Sequence, residues 1–133
     1  MPDGAALSKL NLLCVDDDPQ VLKLRRAVLE TNGYHVLLAE NGHAGLVLFT
    51  SHDIACVIMD FNMPGMDGGE VARKMKSLNP SVPVLIVTGA ALSDSDTLGA
   101  DSVIPKAAPG AELLERLSHL LGTHPSSSQS RQD

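Results

Sequence analysis

With 133 residues, 44% of them apolar, the chain has the length of one domain and enough apolar side chain for a single continuous core, with no room for a second catalytic or DNA-binding domain. A formal charge of −6 and a pI near 5.2 work against a phosphate-backbone partner, and Tyr34, Phe49 and Phe61 are the only aromatic residues, so direct nucleic-acid binding is not expected. Met1 to Ser8 lacks the apolar stretch of a signal peptide, and no run approaches the roughly 18 apolar residues of a membrane span, so a cytoplasmic location without membrane insertion is the expectation.

The first eight residues read as a flexible lead-in, followed by an apolar run from Leu10 to Val15 with the pattern of a strand. Asp18 can cap a helix with Pro19 at its first position, and Val21, Leu22, Leu24, Val28 and Leu29 supply its apolar face before Asn32-Gly33 ends it. His35 to Ala39 reads as a short strand, Asn41-Gly42 as a turn, and His43 to Ser51 as a second helix with Leu46, Val47 and Phe49 available for burial. Ile54 to Met59 is the most continuous apolar run, the pattern of a strand covered on both faces. A turn-rich loop, Met63 to Gly69, leads to a helix from about Glu70 to Leu78, closed by Asn79-Pro80. Val82 to Val87 forms a fourth strand, Ser93 to Leu98 a short helix at best, and Ser102 to Ile104 a fifth strand.

Ala108 to Leu121 is the last helix, with Leu113, Leu114, Leu117, Leu120 and Leu121 on one face. Five strands alternating with helices through right-handed crossovers give an α/β fold, a three-layer sandwich around a parallel sheet. The domain is expected over residues 9–122, and the polar, Ser-rich segment 123–133 as a disordered tail. Cys14 and Cys56 lie inside apolar runs, where a thiol behaves as a small buried hydrophobe. His35, His43, His52, His119 and His124 lack the paired spacing of a zinc site and read as surface residues.

Four of the strand-like runs stop at a polar residue: Asp16 and Asp17, Asp60, Thr88, and Lys106. In open α/β sheets the ligand site lies outside the carboxyl ends of parallel strands, so these residues converge. Each has a plain alternative: a capping turn for Asp16 to Asp18, a loop start for Asp60, a turn for Thr88-Gly89, a solvated amine for Lys106. Their joint occurrence in this order points instead to chemistry. Three ionised carboxylates brought together repel, and a cation must sit among them. Mg2+ suits the set, since it takes hard oxygen ligands from one or two carboxylates and bridges to phosphate oxygens. Asp60 is then the in-line nucleophile for a phosphoryl group and itself a metal ligand; Asp17, with Asp16 partly through water, holds the metal with it, and Asn62 can offer its backbone carbonyl. Thr88 and Lys106 donate to phosphoryl oxygens.

The sequence resembles the receiver domains of two-component response regulators over about Leu10 to Leu121. The resemblance rests on VDDDP at Val15 to Pro19, MDFNMPGMDG at Met59 to Gly68, VTGA at Val87 to Ala90 and IPK at Ile104 to Lys106. It implies a flavodoxin-like (CheY-like) doubly wound sheet with strand order 2-1-3-4-5. It also implies Asp60 as phosphoacceptor, Asp16 and Asp17 as the acidic pair for Mg2+, Thr88 as the switch hydroxyl and Lys106 as the characteristic lysine. The implied donor is a phosphohistidine on a sensor histidine kinase or a histidine phosphotransfer protein, and the output is a downstream protein target. Such a domain is no enzyme beyond its self-catalysed phosphorylation and dephosphorylation.

Three departures from the family pattern stand out. Val103 occupies the position, three before the lysine, where receivers usually carry Tyr or Phe. Ala107 follows Lys106 where most members have a cis-proline; a cis bond to Ala would cost about 2.5 to 4 kcal/mol, which points to a trans peptide or a shifted loop. Lys106 lies 18 positions after Thr88, shorter than in typical receivers by about four residues, one helical turn. The shortfall falls in the helix between the fourth and fifth strands, part of the face through which the family commonly dimerises, so a partner-docking receiver is expected more than a symmetric dimer.

Met1 and the polar tail fit a small intact receiver, although such shortening is also familiar in receivers attached to hybrid kinases. A pseudo-receiver, folded but never phosphorylated, is the alternative raised by the altered switch positions. A phosphohydrolase of the haloacid dehalogenase type also uses Asp, Mg2+, Thr or Ser, and Lys, but its nucleophile follows the first strand in a D-x-D pair, unlike Asp60 followed by Phe61-Asn62. No G-x-x-x-x-G-K-S/T pattern occurs, so P-loop chemistry is set aside, and Gly65 to Gly69 reads as a turn shaping the loop after Asp60.

Overall fold

The structure is a computed structural model that describes residues 9–63, 65, 68–89 and 100–122. Its elements alternate along the chain: β1 (Asn11–Val15), α1 (Pro19–Thr31), β2 (His35–Ala39), α2 (Gly42–Ser51), β3 (Cys56–Asp60), α3 (Gly68–Leu78), β4 (Val84–Thr88), β5 (Ser102–Pro105) and α4 (Gly110–Leu121). All strand pairings are parallel and the sheet order is β2-β1-β3-β4-β5, as the resemblance implied. The expected short helix from Ser93 to Leu98, the expected flexible lead-in 1–8 and the expected disordered tail 123–133 lie outside the described residues.

Period-two alternation along each strand divides the core in two. Leu13 and Val15, Val57 and Met59, and Val84 and Ile86 face a cluster completed by Phe49 of α2 and by Val71 and Met75 of α3. Leu12 and Cys14, Cys56 and Ile58, and Leu85 and Val87 face the opposite cluster, completed by Leu22 and Leu29 of α1 and Leu117 of α4. Every residue of β3 and β4 is buried, so the two strands have no polar positions to give up to solvent. Both cysteines are free and buried, and burial pushes each thiol up to about 12, consistent with packing rather than reactivity. His35, His43, His52 and His119 are exposed.

Local signals set the helix ends. The Asp18 side chain accepts from the Gln20 N–H ahead of Pro19, Asn41 accepts from the Ala44 N–H, and Gly122 closes α4 in the left-handed region at φ 73°. Several boundaries differ from the sequence reading. The apolar runs at Leu10, Ile54 and Val82 begin before ladder pairing starts, because the strands open at Asn11, Cys56 and Val84. The third and fourth strands also reach one residue further, incorporating Asp60 and Thr88, and the fifth extends to Pro105. Helix α3 starts earlier, at Gly68, and α4 later, at Gly110, with Pro109 as its N-cap. Val47 is 50% exposed on α2, and Leu24 is 69% exposed on α1, so neither belongs to its helix's buried face. The inward line of α1 runs instead through Leu22, Arg25 and Leu29, a spacing of three and then four.

At the amino end of the sheet, one ionic cluster ties α3 to the starts of β4 and β5. The Asp101 carboxylate accepts from the Val84 N–H at 2.7 Å and from Lys76 Nζ at 2.9 Å, and Lys76 also donates to the carbonyls of Pro80 and Val82. The Asp101 N–H returns a bond of 2.8 Å to the Val84 carbonyl, which fixes the register that β4 and β5 keep up to Thr88 and Pro105. Asp101→Ala is therefore expected to lower stability by about 1.5 kcal/mol in urea denaturation, and Asp101→Asn, which keeps an acceptor for Val84, to lose less. Equal losses would contradict a role for that backbone contact.

Candidate metal and phosphoryl site

The residues that end the strands meet at the carboxyl edge of the sheet. In register, Val15 pairs with Met59 and Asp60 with Val87, so Asp16 follows directly beside Asp60. The alternation that places Leu12 and Cys14, Cys56 and Ile58, and Ile104 on the α1 and α4 side carries Asp16, Asp60 and Lys106 to that same side. Thr88 falls on the other alternation, at the end of β4 and 5% exposed.

Backbone contacts aim each group. Asp16 extends the ladder with an N–H bond of 3.1 Å to the Ala39 carbonyl, and its Oδ1 accepts from the Asp18 N–H at 2.9 Å. Its neighbour Asp17 is exposed. Beyond Asp60, the Phe61 N–H reaches the Val87 carbonyl at 3.0 Å, and the Phe61 carbonyl accepts from the Gly68 N–H at 2.6 Å. The start of α3 is thus drawn against the backbone of Asp60 and Phe61. A Cβ on Gly68 would lie 2.5 Å from the Asp60 carbonyl oxygen and 2.8 Å from Phe61 Cα, both backbone atoms, so this position requires glycine. The Lys106 N–H bonds the Thr88 carbonyl at 2.7 Å, which carries the β4 and β5 pairing one step past Pro105 and brings Lys106 Nζ to 3.2 Å from Asp60 Oδ1. No described peptide bond is cis, so Lys106 and Ala107 are joined in trans.

Asp16, Asp17 and Asp60 each offer a carboxylate oxygen, and these three atoms lie within 4.8 Å of one another. Asp16 and Asp60 are 0% and 1% exposed, Asp16 Oδ2 and Asp60 Oδ2 are buried without a hydrogen-bond partner, and Asp60 Oδ1 has only the Lys106 ion pair. Burial raises the Asp60 pKa above the ordinary carboxylate range, and the Asp16 and Asp17 charges add to the rise while Lys106 opposes it. Unsatisfied buried oxygens grouped at this spacing suit a small hard cation, and the donor set fits Mg2+. Asn62, the fourth expected ligand, is exposed in the loop two residues beyond Asp60.

One residue of the site escaped the sequence reading. Arg25 of α1 places NH1 at 3.7 Å from Asp16 Oδ2 with its side chain 11% exposed. The available signal was phase: with Leu22 and Leu29 inward, position 25 faces the sheet as well.

The response regulator receiver domain model matches residues 12–118, and the chain belongs to that family. It is 38% identical over 117 residues to the response regulator MprA of Mycolicibacterium vanbaalenii, covering 84% of this chain and 50% of that protein. The chain therefore spans about half the length of the curated relatives it matches. A CheY-like receiver domain protein from Methanospirillum hungatei superposes with a TM-score of 0.83 at 29% identity, covering 95% of this chain and 100% of that one. The response regulator TrrA of Thermotoga maritima, solved in complex with Mg2+ and BeF, gives 0.80 at 32% identity, with 84% and 99% covered.

Two outcomes are expected. Gly68→Ala displaces the start of α3 from Asp60 and lowers stability by about 1 to 3 kcal/mol in denaturant titration; an unchanged midpoint would contradict the close approach. Asp60→Asn raises the melting temperature of metal-free protein at pH 7. Because the folded pKa of Asp60 is raised, native protein binds its proton more tightly than unfolded chain, and the wild type loses stability as pH rises from the unfolded pKa through the folded one. The advantage of Asn should shrink as pH falls toward 4, and an advantage independent of pH would contradict this assignment.

Proposed function

We propose that the domain accepts a phosphoryl group on Asp60 from a phosphohistidine donor in a Mg2+-dependent relay. The observation that supports this best is the buried, unsatisfied Asp60 carboxylate held between two further carboxylates and the Lys106 ammonium. An Asp60 oxygen attacks phosphorus in line, the new P–O bond forms as the P–N bond breaks, and the bonding pair leaves on the imidazole nitrogen, which takes up a proton. Lys106 favours the ionised form of Asp60 against the effect of burial and then draws toward the incoming phosphoryl oxygens, and the Thr88 hydroxyl donates to another of them. Asp16, Asp17 and Asp60, with the Asn62 carbonyl, would hold Mg2+, which when bound would neutralise charge on the phosphoryl oxygens.

The same reading makes the chain a phosphoacceptor rather than an enzyme acting on other substrates, working in the cytoplasm. The donor is a sensor histidine kinase or a histidine phosphotransfer protein; TrrA, the 32% identical relative, has been solved in complex with the histidine kinase ThkA. Output passes to a downstream protein or to the next carrier of the phosphoryl group. Val103 is half-buried against the α2 and α3 side of the core, so without the usual aromatic group the signal of phosphorylation rests on Thr88 and on the segment after it.

Incubation with acetyl phosphate followed by intact-protein mass is expected to add one phosphoryl group in the presence of Mg2+ and none with Asp60→Ala. Lys106→Ala is expected to slow the reaction by about 10²-fold. Phosphorylation that survives Asp60→Ala would overturn Asp60 as the acceptor, and a folded wild type that no small donor or phosphohistidine protein can phosphorylate would favour a pseudo-receiver.

A further inference from the structure

We infer that Arg25 is a built-in counter-cation that competes with Mg2+ for Asp16. The inference rests on the metal reading above and assigns to this chain's own residue a control over that site. Arg25 NH1 and Asp16 Oδ2 are 3.7 Å apart, too far for a hydrogen bond, and both atoms are buried without a hydrogen-bond partner. Their association is therefore one of charge alone. A guanidinium so deep in an apolar helix face is costly to bury unless it offsets an opposite charge, and the Asp16 carboxylate is the one it meets.

The position has consequences because Oδ2 is the Asp16 oxygen left open to a metal, Oδ1 being engaged by the Asp18 N–H. When no divalent ion is bound, Arg25 offsets the mutual repulsion of Asp16, Asp17 and Asp60, and the cluster tolerates close approach. An incoming cation meets a positive charge already seated beside Asp16. Room for that charge to withdraw is present: Arg25 also lines a groove of about 240 Å3 between α1 and α4, bounded by Leu24, Val28, Lys106 and Leu113 and open toward solvent. Its long side chain can keep its stem on α1 while the guanidinium exchanges Asp16 for the groove. Arg25 thus sets the Mg2+ concentration at which the site fills, and it couples filling to the α1 and α4 surface.

The test is thermal unfolding of wild type, Arg25→Gln and Arg25→Met across a Mg2+ titration at pH 7, read as melting temperature against metal concentration. Arg25→Gln keeps length and polarity, so it remains informative if Arg25→Met does not fold. The expected result is a lower melting temperature for the variants in the absence of metal, together with Mg2+ binding about tenfold tighter than wild type, or ~1.4 kcal/mol. Variants that bind Mg2+ with wild-type affinity or more weakly would overturn the inference while leaving the metal site in place. No Mg2+ response in any of the three proteins would overturn the metal reading and this inference with it.

Discussion

Mutual repulsion between buried carboxylates is the constraint around which the rest of the domain is arranged. Asp16 and Asp60 sit side by side at the ends of adjacent strands, with almost no exposure to water. Two such charges in a low-dielectric setting are tolerable only with cations beside them. The fold supplies Lys106 from the end of the edge strand, beside Asp60, and Arg25 from α1, beside Asp16. These two side chains reduce the repulsion without satisfying the carboxylate oxygens, which are left available for a metal and a phosphoryl group.

The sheet accounts for how these groups come to share one place. Parallel pairing puts every strand's carboxyl end on one edge, and alternation then decides which side of the sheet each terminal residue addresses. Asp16, Asp60 and Lys106 share an alternation and Thr88 does not. At the opposite edge, Asp101 and Lys76 lock the register of β4 and β5, so the positions of Thr88 and Lys106 are set by contacts a full strand length away. Gly68 completes the frame by letting α3 begin against the backbone of Asp60.

Much of this was legible in the residues. Apolar runs that stop at Asp16, Asp60, Thr88 and Lys106 located the strands and the site together, because a fully buried strand advertises itself by an unbroken apolar run and its exit by the first polar group. Strand beginnings were less legible: Ile54 and Val82 are buried but precede the strands, Leu10 precedes its strand while largely exposed, and hydropathy does not distinguish such a lead-in from a paired residue. Helix α1 misled for a related reason. Of the expected apolar face, Leu22 and Leu29 are buried and Val21 and Val28 half-buried, yet Leu24 lies in solvent and Arg25 faces inward in its place. An arginine at a core-facing position reads as surface in any hydrophobic pattern, and only the Asp16 carboxylate opposite explains its place.

The most direct test of a single converging site is a set of backbone amide NMR spectra recorded before and after Mg2+ and beryllofluoride are added together. The largest changes are expected at Asp16, Asp17, Asp60, Phe61, Thr88 and Lys106, with Arg25 shifting along with them, and all are expected to disappear in Asp60→Ala. Changes confined to surface carboxylates remote from these residues, or a response that persists without Asp60, would contradict the account.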